Sequence, residues 1–129
     1  MQGFIVDLPN RPGSLADVSE ALGAGGVNIT ATGATTSGSA GTVAFSADDE
    51  AGARGVLQAH GWAFREVELV VASLEHRPGS LGDAARRLAT AGVNVESMFA
   101  TGMEGGSVQI AFGVSDAGAA RAALADLAG

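Results

Sequence analysis

The sequence predicts an α+β protein made of two tandem copies of one strand–helix–strand–strand–helix–strand unit. Three observations carry this. Arg11-Pro12-Gly13-Ser14-Leu15 returns 66 positions later as Arg77-Pro78-Gly79-Ser80-Leu81. Gly26-Val27-Asn28-Ile29 returns at the same offset as Gly92-Val93-Asn94-Val95. Ala44-Phe45 returns as Ala111-Phe112, with one residue inserted between the blocks. Self-similarity at a fixed offset is the mark of one supersecondary unit used more than once. The two units are placed at residues 1–67 and 68–129, the second lacking a clear last strand.

Each element follows from local pattern. Phe4-Ile5-Val6-Asp7-Leu8 is a short apolar run that stops at Pro9, so it reads as a largely buried strand. Residues 69–74 are its counterpart. The Arg-Pro-Gly-Ser step then reverses the chain and opens a helix. Leu15, Val18 and Leu22 form an amphipathic stripe, as do Leu81, Ala84, Ala85 and Leu88, and both stripes are expected to face the sheet. Gly23 to Gly26, and Gly92, end these helices, because glycine accepts the left-handed conformation there. A second strand starts near Val27 and Val93. The Gly/Ser/Thr-rich stretch 32–41 reads as a turn, and so does the shorter 102–106. Third strands follow at 42–46 and 107–114. Asp48-Asp49-Glu50 and Ser115-Asp116 open the second helices by capping and by their charge at the positive helix end. Val56 with Leu57, and Leu124 with Leu127, are expected to face the sheet. A fourth strand at 62–67 closes the first unit, with Trp62 and Phe64 alternating into the core.

Helices on one face of an antiparallel sheet in this order make a ferredoxin-like unit. One such unit is marginal alone, and two together bury more surface. The second unit, without its last strand, has a candidate open edge at 69–74, which predicts a homodimer formed by strand pairing.

Composition narrows the function. Apolar residues make up 47% and charged residues 16%, a globular balance rather than a disordered one. The net charge is −7 and every basic residue is an arginine. An acidic chain with no basic cluster is not a non-specific nucleic-acid binder. Without lysine there is no Schiff-base chemistry, and without cysteine there are no disulfides, thiolate nucleophiles or cysteine zinc sites. His60 and His76 do not make a metal cluster, so no metal or cofactor is expected. No nucleophile–base pair is evident, and no catalytic residue is assigned. The start of the chain lacks a signal-peptide pattern, and no apolar run nears the roughly 18 residues of a membrane span. A soluble, cytoplasmic protein is expected.

At the Arg-Pro-Gly-Ser-Leu and Gly-Val-Asn-Ile blocks the sequence resembles the ACT domain, a ferredoxin-like module that binds amino acids. The resemblance covers nearly the whole chain, twice. The fragment Asn10-Arg11-Pro12-Gly13 looks like the serine-binding regulatory domain of phosphoglycerate dehydrogenase. Glu96-Ser97-Met98 looks like the second strand of acetolactate synthase regulatory subunits. The resemblance implies that the units pair side by side and hold ligands at the pair interface. The ligand-binding positions it implies in the first unit are Asn10, Arg11, Pro12, Gly13, Ser14, Leu15 and Asn28. In the second they are His76, Arg77, Pro78, Gly79, Ser80, Leu81 and Asn94. A non-catalytic amino-acid sensor follows, acting on a partner enzyme of amino-acid metabolism or on its own homodimer. A ligand-free assembly module is the alternative. Leu8 stands where the serine-binding domain has a histidine, and His76 where it has an asparagine, so the resemblance does not name the amino acid.

The residue chemistry agrees with such a site. Proline fixes φ and ends the strand, and glycine lets a ligand approach the backbone. Unpaired amides at the next helix start, around Ser14 and Ser80, attract a carboxylate. Backbone carbonyls, Asn10 and Asn28 offer acceptors to an ammonium. The same Pro-Gly step also serves simply as a tight turn. Two readings of Arg11 and Arg77 stand open: a bidentate grip on a carboxylate, or a solvated loop side chain. For Asn28 and Asn94 a structural role, bonding the adjacent loop backbone, is the favoured reading. His76 either contacts a ligand or is an exposed loop histidine. His60 lies at a helix end and is given no functional role.

Overall fold

The computed structural model describes residues 1–127. The elements are β1 (Gln2–Pro9), α1 (Ser14–Ala24), β2 (Ile29–Ser37), β3 (Ala40–Ala47), α2 (Glu50–His60), β4 (Phe64–Glu75), α3 (Ser80–Thr90), β5 (Val95–Glu104), β6 (Ser107–Val114) and α4 (Ala117–Ala123). They form two compact units, Gln2–Glu66 and Val67–Gly129, the latter joined by Met1.

In the first unit β3 pairs antiparallel with both β1 and β2. The chain returns beside β1 just ahead of β4, where the Ala63 carbonyl accepts the Asp7 N–H at 3.0 Å. In the second unit β6 pairs antiparallel with both β4 and β5. Each is a ferredoxin-like α+β unit. Among the described residues no strand follows α4 in the second, where Ala125–Leu127 is a single 3₁₀ turn.

Strand alternation builds the cores. Phe4, Val6 and Leu8 of β1 and Val43 and Phe45 of β3 meet Val18 and Leu22 of α1 and Ala53 and Leu57 of α2. Phe4 stacks on Phe45 at 5.2 Å between centroids. In the second unit Val70, Ala72, Leu74, Ile110 and Phe112 meet Ala84, Leu88, Ala120 and Leu124. As expected, Leu57 and Leu124 are buried, and Val56 and Leu127 pack against these cores. Asp49 caps α2 by accepting the Gly52 N–H, and Asp116 caps α4 by accepting the Ala119 N–H.

Several expectations are corrected. Leu15 and Leu81 stand 52% and 42% exposed, and Ala85 is exposed too. The buried line on α1 runs at i, i+4, i+8 through Ser14, Val18 and Leu22. One turn back from Val18 is Ser14, so Leu15 falls outside the sheet-facing stripe. In α3 the same spacing runs through half-buried Ser80 and buried Ala84 and Leu88. Residues 32–41 are mostly strand: β2 continues to Ser37 and only Gly38 and Ser39 turn. Their β-branched threonines suit a pleated edge, and Gly38 at φ 61° makes the reversal. Likewise β5 runs to Glu104 and only Gly105 and Gly106 turn. The second strands begin at Ile29 and Val95, because Val27 and Val93 are core residues at the helix ends.

The strands expected at 62–67 and 69–74 are one continuous strand, β4. Trp62 lies ahead of it, half-buried against the first core, with its ring stacked on His60 at 5.1 Å. At the edge expected to be open, the Met1 carbonyl accepts the Leu69 N–H at 2.7 Å. No helix among the described residues is long and apolar enough to cross a membrane.

Two tests follow. Arg54 donates two hydrogen bonds to Glu66, from Nε at 2.8 Å and Nη2 at 2.6 Å, tying α2 to the start of β4. These bonds hold the Glu66 carboxyl below its ordinary value near 4.5, against a smaller opposing effect of burial. A depressed carboxylate stabilises the fold above its unfolded pKa, and that contribution is lost as pH falls through the folded pKa. Acidification from about pH 6 to about pH 3 should therefore lower Tm more in the parent chain than in Glu66→Gln. Separately, the Ser97 hydroxyl is buried with no hydrogen-bond partner among the described residues. Ser97→Ala should leave stability unchanged or raise it by up to about 1 kcal/mol, read as a urea midpoint.

Candidate ligand-binding loops

The loop after β1 is shaped by its own backbone. The Arg11 N–H donates to the Pro9 carbonyl at 3.0 Å, and the Ser14 N–H to the Arg11 carbonyl at 3.3 Å. Gly13, at φ 93°, stands at the N-cap of α1 with no side-chain cap. The Asp17 N–H to Gly13 carbonyl bond, 2.8 Å, starts the helical ladder. Of the first amides of the helix, that of Ser14 is turned back to the Arg11 carbonyl, and those of Leu15 and Ala16 precede the first rung of the ladder. The Ser14 hydroxyl donates to the Pro9 carbonyl at 2.6 Å, closing the loop on its strand.

Asn10 ties this loop to the β2–β3 hairpin. Its N–H donates to the Ser39 carbonyl at 2.9 Å and its side-chain amide to the Gly38 carbonyl at 2.8 Å. The side-chain carbonyl of Asn10 keeps acceptor capacity. Between loop and hairpin lies an open cavity of about 230 Å³. Leu8, Asn10, Arg11, Ser14, Leu15, Thr35, Thr36 and Thr42 are among its walls. Leu15, turned out of the core, stands on this wall.

The loop after β4 repeats the backbone. Gly79 has φ 90°, the Arg77 N–H donates to the Glu75 carbonyl at 2.9 Å, and the Asp83 N–H to the Gly79 carbonyl at 2.9 Å. The His76 N–H reaches the Gly106 carbonyl at 2.8 Å, again tying loop to hairpin turn. Pro78 and Leu81 are exposed, and Ser80 turns its hydroxyl to the Arg77 carbonyl at 3.2 Å. A cavity of about 240 Å³ lies here too, with Glu75, Arg77, Ser80, Asp83 and Arg87 among its walls.

The structure brings residues 10–15 together and residues 76–81 together, but it does not bring Asn28 or Asn94 to the loops of their own units. The eleven residues of α1 separate the loop from Asn28, about 16 Å of helix. The Asn28 N–H donates to Asp48 at 2.9 Å and its carbonyl accepts the Asp48 N–H at 3.1 Å. Asn94 makes the same pair with Ser115, at 3.0 Å in each direction. Both asparagines thus hold the entry of the following helix through their backbone, not the loop before α1 or α3.

Charged neighbours of the arginines were missed. Asp17 lies 3.7 Å from Arg11, and Asp83 lies 3.7 Å from Arg77. Their recurrence at the 66-residue offset was the available signal. Glu75, at 2.8 Å from Arg77 Nε, has no counterpart in the first loop, where the same position is Pro9. It pushes the Arg77 guanidinium further up from its ordinary range, with Asp83 contributing less. Among the described residues no cluster of three His, Cys, Asp or Glu is placed to hold a metal ion.

No protein-family model matches this chain, and no curated protein sequence matches it. Solved structures do. A protein from Bacteroides thetaiotaomicron matches with TM-score 0.78 and 21% identity, over 97% of this chain and 86% of that one. The regulatory subunit of aspartate kinase from Thermus flavus matches with TM-score 0.69 and 21% identity, over 97% and 90%. The ligand-free regulatory subunit of aspartate kinase from Thermus thermophilus matches with TM-score 0.68 and 21% identity, over 96% and 87%. At these identities the likeness is one of fold, and it extends over both units.

Proposed function

We propose that this chain is a non-catalytic regulatory protein of the ACT type, with units at 1–67 and 68–129, that binds a small amino acid at its Arg-Pro-Gly-Ser-Leu loops. The observation that carries the reading is a repeated one. In both units an arginine, the first residue of a helix without a side-chain cap and a strand of the hairpin border one small cavity. A carboxylate finds the arginine fork and helix amides there. In the first loop an ammonium finds the Asn10 side-chain carbonyl. The cavity is smaller than the roughly 300–1,000 Å³ of drug-sized sites, which favours a small ligand. The fold shared with aspartate kinase regulatory subunits supports a partner enzyme of amino-acid metabolism as the reader of the signal.

A second reading, an assembly module without a ligand, draws support from β5. Among the described residues of its unit this strand pairs only with β6, and its Met98 and Met103 stand 43% and 65% exposed. A homodimer formed on such a strand is compatible with either reading.

A thermal-shift screen against the twenty L-amino acids tests the first reading. One amino acid at about a hundredfold over its Kd should add about 2.7 kcal/mol, a rise of several degrees for a chain of this size. A flat screen favours the assembly module. Gly13→Ala probes the loop itself. A Cβ there meets nothing closer than Arg11 Nη1 at 4.0 Å, so the penalty is that of φ 93° alone. A loss of about 1–2 kcal/mol of stability is expected, together with loss of the amino-acid-dependent shift at the first loop.

A further inference from the structure

We infer that the two loops are not equivalent: Glu75 occupies Arg77 as a built-in carboxylate, so an amino acid fills the first loop before the second. The inference rests on the amino-acid reading above and concerns which copy of the site is open.

The comparison is controlled by the repeat. The Gly13 and Gly79 φ angles are 93° and 90°, and the same carbonyl-to-amide bonds shape both turns. Pro9 and Glu75 are the last residues of β1 and β4, each opposite the first residue of the next strand in its sheet, Ala40 and Ser107. With matching backbones, the difference lies in side chains. Arg77 gives Nε to Glu75 at 2.8 Å and Nη1 to the Pro78 carbonyl at 3.2 Å, and its Nη2 lies 3.7 Å from Asp83. A carboxylate ligand grips a guanidinium through two parallel N–H groups, and the Nε edge of Arg77 is already given to a carboxylate.

Arg11 is differently placed. Proline at position 9 offers no side-chain acceptor. The contacts of Arg11 are Asp17 at 3.7 Å and the Pro12 carbonyl at 3.5 Å, both at the long limit of such interactions. A carboxylate entering the first loop therefore meets one cation and one anion. In the second loop it meets Arg77, already facing Glu75 and Asp83, and Arg87, which is itself paired with Asp126. These groups are solvent-exposed, so the effect is modest. The separation expected for exposed pairs is about two- to fivefold in affinity.

The arginine Nε–Hε resonances of the ¹⁵N-labelled chain test this, assigned with Arg11→Lys and Arg77→Lys and titrated with an equimolar mixture of the twenty L-amino acids. The Arg11 resonance should reach half its shift at about two- to fivefold lower concentration than that of Arg77. Glu75→Gln should bring the Arg77 midpoint down to that of Arg11. Pro9→Glu, the reciprocal change, should raise the Arg11 midpoint. Coincident midpoints in the parent chain, or an Arg77 midpoint unmoved by Glu75→Gln, overturn the inequivalence and leave the amino-acid reading standing. If neither arginine responds in any of the three proteins, the amino-acid reading falls and this inference falls with it.

Discussion

The antiparallel pairing of the first and third strands of each unit is the constraint on which the rest depends. In the first unit the register sets Phe4 opposite Phe45 and Val6 opposite Val43, all turned toward the helices. A slip of one residue turns every side chain of a strand to the other face. The same register sets Pro9 opposite Ala40. The loop after β1 therefore emerges beside the Gly38–Ser39 turn, where Asn10 can bond both carbonyls. Core packing and site geometry are thus two ends of one strand alignment.

This arrangement separates the packed interior from the exposed loops. The interior of each unit is almost wholly aliphatic and aromatic. Its ion pairs lie at the periphery, where they fasten elements more than they stabilise the fold. Arg54 with Glu66 joins a helix to a strand, and Arg87 with Asp126 joins α3 to the chain after α4. Residues 10–15 and 76–81 contribute only Ser14 to the buried set. A loop so lightly committed to the core can change side chains without cost to the fold, and the two copies have done so at Pro9 and Glu75.

Duplication explains how a chain of this size can carry one loop backbone twice with unequal charge around it. Both copies keep the glycine conformation and the helix start, which are the backbone requirements of the loop, and the arginine. They differ in the residues that set local charge. A carboxylate one residue before the loop is enough to alter what an arginine can still bind, because the guanidinium has a fixed number of donors in a fixed plane.

Much of this was legible in the chain itself. The repeat determined the element order, Asp49 and Asp116 announced their caps, and the Pro-Gly steps marked the loops. Each of these depends on dihedral preference or hydrogen bonding within a few residues. The tertiary structure alone decided that Ser14 rather than Leu15 is buried, that the threonines of 32–36 belong to a strand, and that β4 runs unbroken between the units. It also decided that Asn28 lies a helix length from the loop before α1, and that Glu75 reaches Arg77. Those outcomes turn on which helix face meets the sheet and which side chain stands across a turn. Both are set by strand register between segments far apart in sequence, which local pattern does not encode.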